Sequence, residues 1–207
     1  IELIDKTNYL NHYYFVSLIS LLLVFLPANK YFSLDSYFKI CKSYLKVPAW
    51  SINSIKLQII IVYVFAGIAK LNPHWLIDAQ PLINWLKHQS DVPLIGGLLT
   101  YDFTAYLFSW GGALFDLFII FFLIHKKTRI AAYGLIIVFH VLTAIMFPIG
   151  VFPIVMIFST LIFFSSHFHQ SIVQFISKIT LKSRSTVIHH FPQYVNSSFL
   201  YKILFVI

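Results

Sequence analysis

Charge and cysteine are the two scarce commodities in this chain of 207 residues: Asp, Glu, Lys and Arg together make up 11%, and there is one cysteine, Cys41. A soluble domain carries about 25% charged residues, so a single water-facing globule is excluded. A lone thiol cannot close an internal disulfide, which removes a stapled scaffold and any cysteine-rich zinc site. His167 with His169, and His189 with His190, lack the i, i+4 spacing and the accompanying acid of a zinc helix. A phosphate-cradling glycine loop, a Gly-x-Ser-x-Gly turn and a dinucleotide fingerprint are also missing, so the common soluble-enzyme chemistries find no footing and no metal is expected. What is abundant is grease: 59% apolar and 18% aromatic residues, with a mean hydropathy of +0.82. That composition excludes disorder and a coiled coil, and belongs to a protein whose solvent is lipid.

Apolar runs cover residues 13–28, 52–69, 104–124, 130–147 and 152–164, with a further run from 199 to 207. The expectation is an all-α, polytopic helix bundle of about five spans and the start of a sixth. Residues 1–166 form the membrane domain in this reading. Residues 167–198 form a polar segment whose Ile172, Val173, Phe175, Ile176 and Ile179 fall at near-helical spacing, as in an interfacial amphipathic helix. The chain starts at Ile1 rather than Met and stops inside an apolar run, so it reads as a partial chain, inactive by itself.

Net charge is +8, a value that would suggest nucleic acid in a soluble protein. Position argues otherwise. Eleven of the fifteen basic residues lie in three places: Lys30, Lys39, Lys42, Lys46 and Lys56; Lys126, Lys127 and Arg129; and Lys178, Lys182 and Arg184. Alternating spans put all three on one side and Glu2, Asp5, Asp78, Asp91 and Asp102 on the other. The positive-inside rule makes the acidic face periplasmic or lumenal, so the partner is the bilayer and no nucleic acid is expected.

Four polar positions are costly inside a bilayer. Lys70 ends the second run, just before Leu71-Asn72-Pro73, and is placed near the outer boundary. Either it snorkels to the headgroups beside Trp75 or it turns inward as a desolvated amine able to act as a base. His12, beside Asn11, opens the first run on the same face, as a polar cap or a second proton-handling group. Asp116 and His140 lie deep in the third and fourth runs, about 15 to 18 Å from a boundary by helical rise. A carboxylate at that depth needs a partner, and His140 on the adjacent antiparallel helix is the expected one, with Gly111 and Gly112 permitting close helix approach.

Three stretches carry a resemblance. The first runs from Asp5-Lys6-Thr7-Asn8-Tyr9-Leu10-Asn11-His12-Tyr13 to Asn29-Lys30-Tyr31-Phe32-Ser33-Leu34-Asp35. The second is Tyr63-Val64-Phe65-Ala66-Gly67-Ile68-Ala69-Lys70-Leu71-Asn72-Pro73-His74-Trp75. The third joins Gly111-Gly112-Ala113-Leu114-Phe115-Asp116 to Phe139-His140 and Phe147-Pro148-Ile149-Gly150-Val151-Phe152-Pro153. In this order they resemble the vitamin K-dependent gamma-carboxylase family and the related HTTM (horizontally transferred transmembrane) domain proteins. The resemblance implies that Lys70 deprotonates vitamin K hydroquinone or a related quinol, with Asn11 and His12 at the reacting ring. It implies O2 and CO2 as co-substrates: oxygen adds to the hydroquinone anion, the strong base so formed takes a glutamyl γ-proton, CO2 is captured and the epoxide leaves. A glutamyl peptide or protein would be the second substrate, and the membrane would be a bacterial inner membrane or the endoplasmic reticulum, with Lys70 and His12 toward its outer or lumenal face. Animal members have a second lysine where this chain has Ala69, and the family's large extramembrane domain is not in this chain. Quinol oxidation or epoxidation without carboxylation, and a non-catalytic quinone or lipid binder or transporter subunit, stay open as alternatives.

Overall fold

The computed structural model describes residues 11–27, 34, 38, 46–93, 95–147, 149–180 and 193–195, with side chains at all of these except 11, 12, 46, 177–180 and 193–195. Among the described residues the architecture is all-α. Helix α1 (Asn11–Phe25) is followed by strand β1 (Lys46–Pro48) and helix α2 (Ala49–Ala69), then by three short helices, α3 (Pro73–Leu76), α4 (Leu82–Lys87) and α5 (Gly96–Leu99). The long helices α6 (Asp102–Ile124) and α7 (Arg129–Met146) come next. Helix α8 (Phe152–Ser159) continues into a 3-10 turn (Thr160–Phe163), and α9 (Ser166–Thr180) and β2 (Gln193–Val195) complete the order.

Among the described residues, three helices, α2, α6 and α7, are long and apolar enough to cross a membrane, or four spans if the bent pair of helices at 152–176 counts as one, against about five expected. Helix α1 has 15 residues, about 22 Å by helical rise against a hydrocarbon core of about 30 Å. The fifth run breaks after Phe163 and passes the same test only when taken together with the helix that follows it. The run at 199–207 lies outside the described residues.

The chain divides into two compact units. One comprises residues 1–15 and 58–161, and the other 16–57 and 162–207. In the first, α6 and α7 form an antiparallel hairpin. Arg129 closes its turn: Nε donates to the carbonyl of Leu123 at 2.9 Å and the guanidinium reaches that of Ile124 at 2.7 Å, occupying carbonyls that a helix end leaves without partners. The buried stripes are regular, Ala105, Ser109, Ala113, Asp116, Ile120 and Leu123 on α6 and Ala132, Ile136 and His140 on α7, each at the three-to-four spacing of one helix face. Over one end of this hairpin lies a cap built from α3 to α5, in which Ala79, Leu82, Leu86 and Leu99 pack with Ala105 and Met146. The link between the second and third apolar runs is thus a small folded layer with its own apolar centre.

In the second unit, β1 and β2 form a three-residue parallel pair, Lys46 opposite Gln193 and Pro48 opposite Val195. Phe163 and Phe164 are buried there, and Lys56 Nζ stands 5.7 Å from the Phe163 ring centre.

Candidate functional site

Helix α2 ends where the sequence runs into Asn72-Pro73. Its last turn tightens, with the amides of Lys70 and Leu71 donating to the carbonyls of Gly67 and Ile68, and Asn72 then caps α3 by accepting from the Trp75 amide at 2.9 Å. Trp75 is pinned from the other side. Its indole Nε1 donates to the carbonyl of Ser109 at 3.0 Å, while the Ser109 hydroxyl donates to the carbonyl of Trp75. Trp110 adds a 2.9 Å bond to the carbonyl of Leu76. These bonds fix the end of α2 against the middle of α6.

There Lys70 turns inward. Its Nζ lies 2.5 Å from Asp116 Oδ2, 3.2 Å from the carbonyl of Ala66 and 5.4 Å from the centre of the Trp75 ring. The lysine side chain is 20% exposed and the aspartate 8%. The contact is charge-assisted, and the indole face above adds a cation–π contribution. Asp116 stands fourteen residues after the first residue of α6, about 21 Å along the helix. Lys70 therefore meets α6 at that level of the helix.

Gly67 makes the meeting possible. A Cβ at that position would come within 2.7 Å of the Leu117 side chain and 2.9 Å of its backbone nitrogen, so α2 and α6 touch through backbone at the residue beside Asp116. Gly111 and Gly112 do not serve the role expected of them: no described atom lies within 4 Å of a Cβ added to either.

The expected pairing of Asp116 with His140 is replaced by two couples. Lys70 holds Asp116, and the Tyr63 hydroxyl shares a 3.1 Å hydrogen bond with His140 Nε2. Tyr63 is 2% exposed and His140 3%. Aromatic rings enclose them, with Phe115 6.2 Å from Tyr63, Phe139 and Phe152 5.4 and 5.9 Å from His140, and Phe115 stacked on Phe139 at 4.0 Å. Phe15 meets Phe152 edge-on at 6.1 Å, so the first turns of α1 belong to this cluster. Asn11 and His12 open α1, but their side chains lie outside the described residues. Gly150, at φ 61°, turns the chain between α7 and α8 beside the Tyr13 hydroxyl.

The profile of the HTTM domain matches residues 1–168. The chain belongs to the HTTM domain family. HTTM domains are found in gamma-carboxylase-like membrane proteins, and the apolar helices make this HTTM chain an integral membrane protein. No solved structure matches it. The three stretches that carried the resemblance are now partly explained: Gly67 supplies the approach, Lys70 and Asp116 the pair, Trp75 the roof and Gly150 the turn. Tyr63, which opens the second stretch but is given no role there, recurs with Gly67 and Lys70 at i, i+4 and i+7 on one face of α2.

Proposed function

We propose that this HTTM protein is a gamma-carboxylase-like membrane enzyme that deprotonates vitamin K hydroquinone or a related quinol, with Lys70 and Asp116 as its joint proton acceptor. The observation that supports this reading is the inward lysine, held at 2.5 Å by a buried carboxylate within an apolar bundle. The couple holds one proton, and with that proton on Asp116 the Lys70 amine is neutral and is the atom that accepts the next. Taking a second from a phenolic hydroxyl leaves an ammonium beside a carboxylic acid, so the couple gains one positive charge as the substrate gains one negative. Charge created in the apolar surroundings is then compensated at its source. Trp75 and Ala66 hold the amine in place while this happens.

The hydroquinone, when bound, supplies the reducing equivalents: with O2 it yields quinone epoxide and water, and in the carboxylating reaction a glutamyl γ-carbon exchanges its proton for CO2. Asn11 and His12 are proposed, from their place in the sequence, as the polar groups at the ring. A non-catalytic site that anchors an anionic head on Lys70 fits less well, because Asp116 already engages that charge.

The test uses the full-length protein in lipid nanodiscs, supplied with vitamin K hydroquinone under O2, with epoxide and 14CO2 incorporation into a glutamyl peptide measured separately. Lys70→Arg should lower epoxide formation by about 100-fold or more, since arginine stays protonated. Asp116→Asn should lower it by at least about ten-fold, within the range expected of a proton-handling group. Full activity in Lys70→Arg would sink the proposal. Epoxide without 14CO2 would narrow it to quinol epoxidation.

A further inference from the structure

Helix α9 (Ser166–Thr180) begins two residues after Phe164. Its apolar residues Phe168, Ile172, Phe175 and Ile176 recur at i, i+4, i+7 and i+8, one continuous arc of a helix, while His167, Gln170 and Gln174 fall on the opposite arc. The first turn is anchored, since Phe168 stacks on the buried Phe164 at 4.2 Å. Beyond that anchor the arc faces outward, with Ile172 38% exposed, Ile176 52% and Phe175 65%. Large apolar side chains in a row are costly in water.

Charge identifies what covers them. After Asp116 the sequence contains no further acidic residue, while Lys178, Lys182 and Arg184 fall at and just beyond the C-terminal end of α9. A helix with one apolar arc, a polar opposite arc and a basic end fits an anionic lipid surface. The three membrane-length helices of the same chain bring it to a bilayer. A matching arc on a second copy would repeat the same positive charge and oppose itself.

We infer that α9 lies in the headgroup region of an anionic leaflet, with Phe168, Ile172, Phe175 and Ile176 facing the acyl chains and its basic end on lipid phosphates. This inference is independent of the proposed chemistry. It is tested by spin labels placed one at a time, in a Cys41→Ser background, at Ile172→Cys, Phe175→Cys, His167→Cys and Gln170→Cys of the full chain. The nanodiscs contain phosphatidylcholine with phosphatidylglycerol. Labels at 172 and 175 should collide several-fold more with dissolved O2 than with an aqueous nickel chelate, and labels at 167 and 170 should show the reverse. Equal nickel access at all four sites would place the helix in water and overturn the inference. Shielding of 172 and 175 from both reagents would mean protein covers the arc, and would overturn it equally. In phosphatidylcholine alone the contrast should shrink, and an unchanged contrast would refute the charge component.

Discussion

Two lysine–aspartate pairs in this protein differ by only a few tenths of an ångström in length, Lys70–Asp116 at 2.5 Å and Lys87–Asp102 at 2.8 Å. Their surroundings differ far more. Side chains of the second pair are 47% and 63% exposed, those of the first 20% and 8%. Water competes for every charge in the Lys87–Asp102 pair, which ties α4 to the start of α6 and does little else. Around Lys70 and Asp116 the alternatives to each other are an indole face, a backbone carbonyl and aliphatic side chains, so a proton moved there changes the local energy appreciably. The same two residue types become a surface fastening in one place and an enclosed ion pair in the other, and exposure makes the difference.

Breaking one half of the enclosed couple should have the largest effect. Asp116→Leu leaves an amine without its counter-charge and should destabilise the protein by roughly 3 kcal/mol or more, read by thermal unfolding in detergent. Lys70→Met combined with Asp116→Leu should recover most of that loss while abolishing epoxide formation, because an apolar pair of similar size replaces the ionic one. If the double variant is no more stable than Asp116→Leu alone, the pair is not the isolated couple described. Next comes Gly67→Ala, where the added methyl meets the Leu117 backbone; it should cost about 1–3 kcal/mol and lower activity together with stability. Tyr63→Phe removes one buried hydroxyl from His140 and should cost about 0.6–1.7 kcal/mol, with activity retained if Tyr63 serves packing alone. Smallest of all, Asp102→Ala should shift stability by at most about 1 kcal/mol, and that shift should shrink in high salt.

Much of the scaffold could be read from hydropathy. Expected runs at 104–124 and 130–147 agree with α6 and α7 to within two residues, because Asp102 and Arg129 mark their starts and Pro148 follows the end of the second. Lys70 and Asp116 were also recognisable as costly residues. Their partnership was not, because it depends on depth. Counting residues along α2 puts Lys70 at the end of that helix but does not show which level of α6 it meets, and α3 to α5 fold over the hairpin through Trp75, Leu82 and Leu86. Periodicity records which face a residue occupies and carries no information on how far one helix is slid along another. Gly67 was quoted within a motif, yet its purpose appears only once the Leu117 backbone is seen beside it.

The Arg129 side chain has a consequence for how such a protein comes to be made. By bonding to the carbonyls of Leu123 and Ile124, it closes the α6–α7 turn using atoms from within the turn itself. Two greasy rods joined by a self-sufficient bend can enter a bilayer together as one inserting unit.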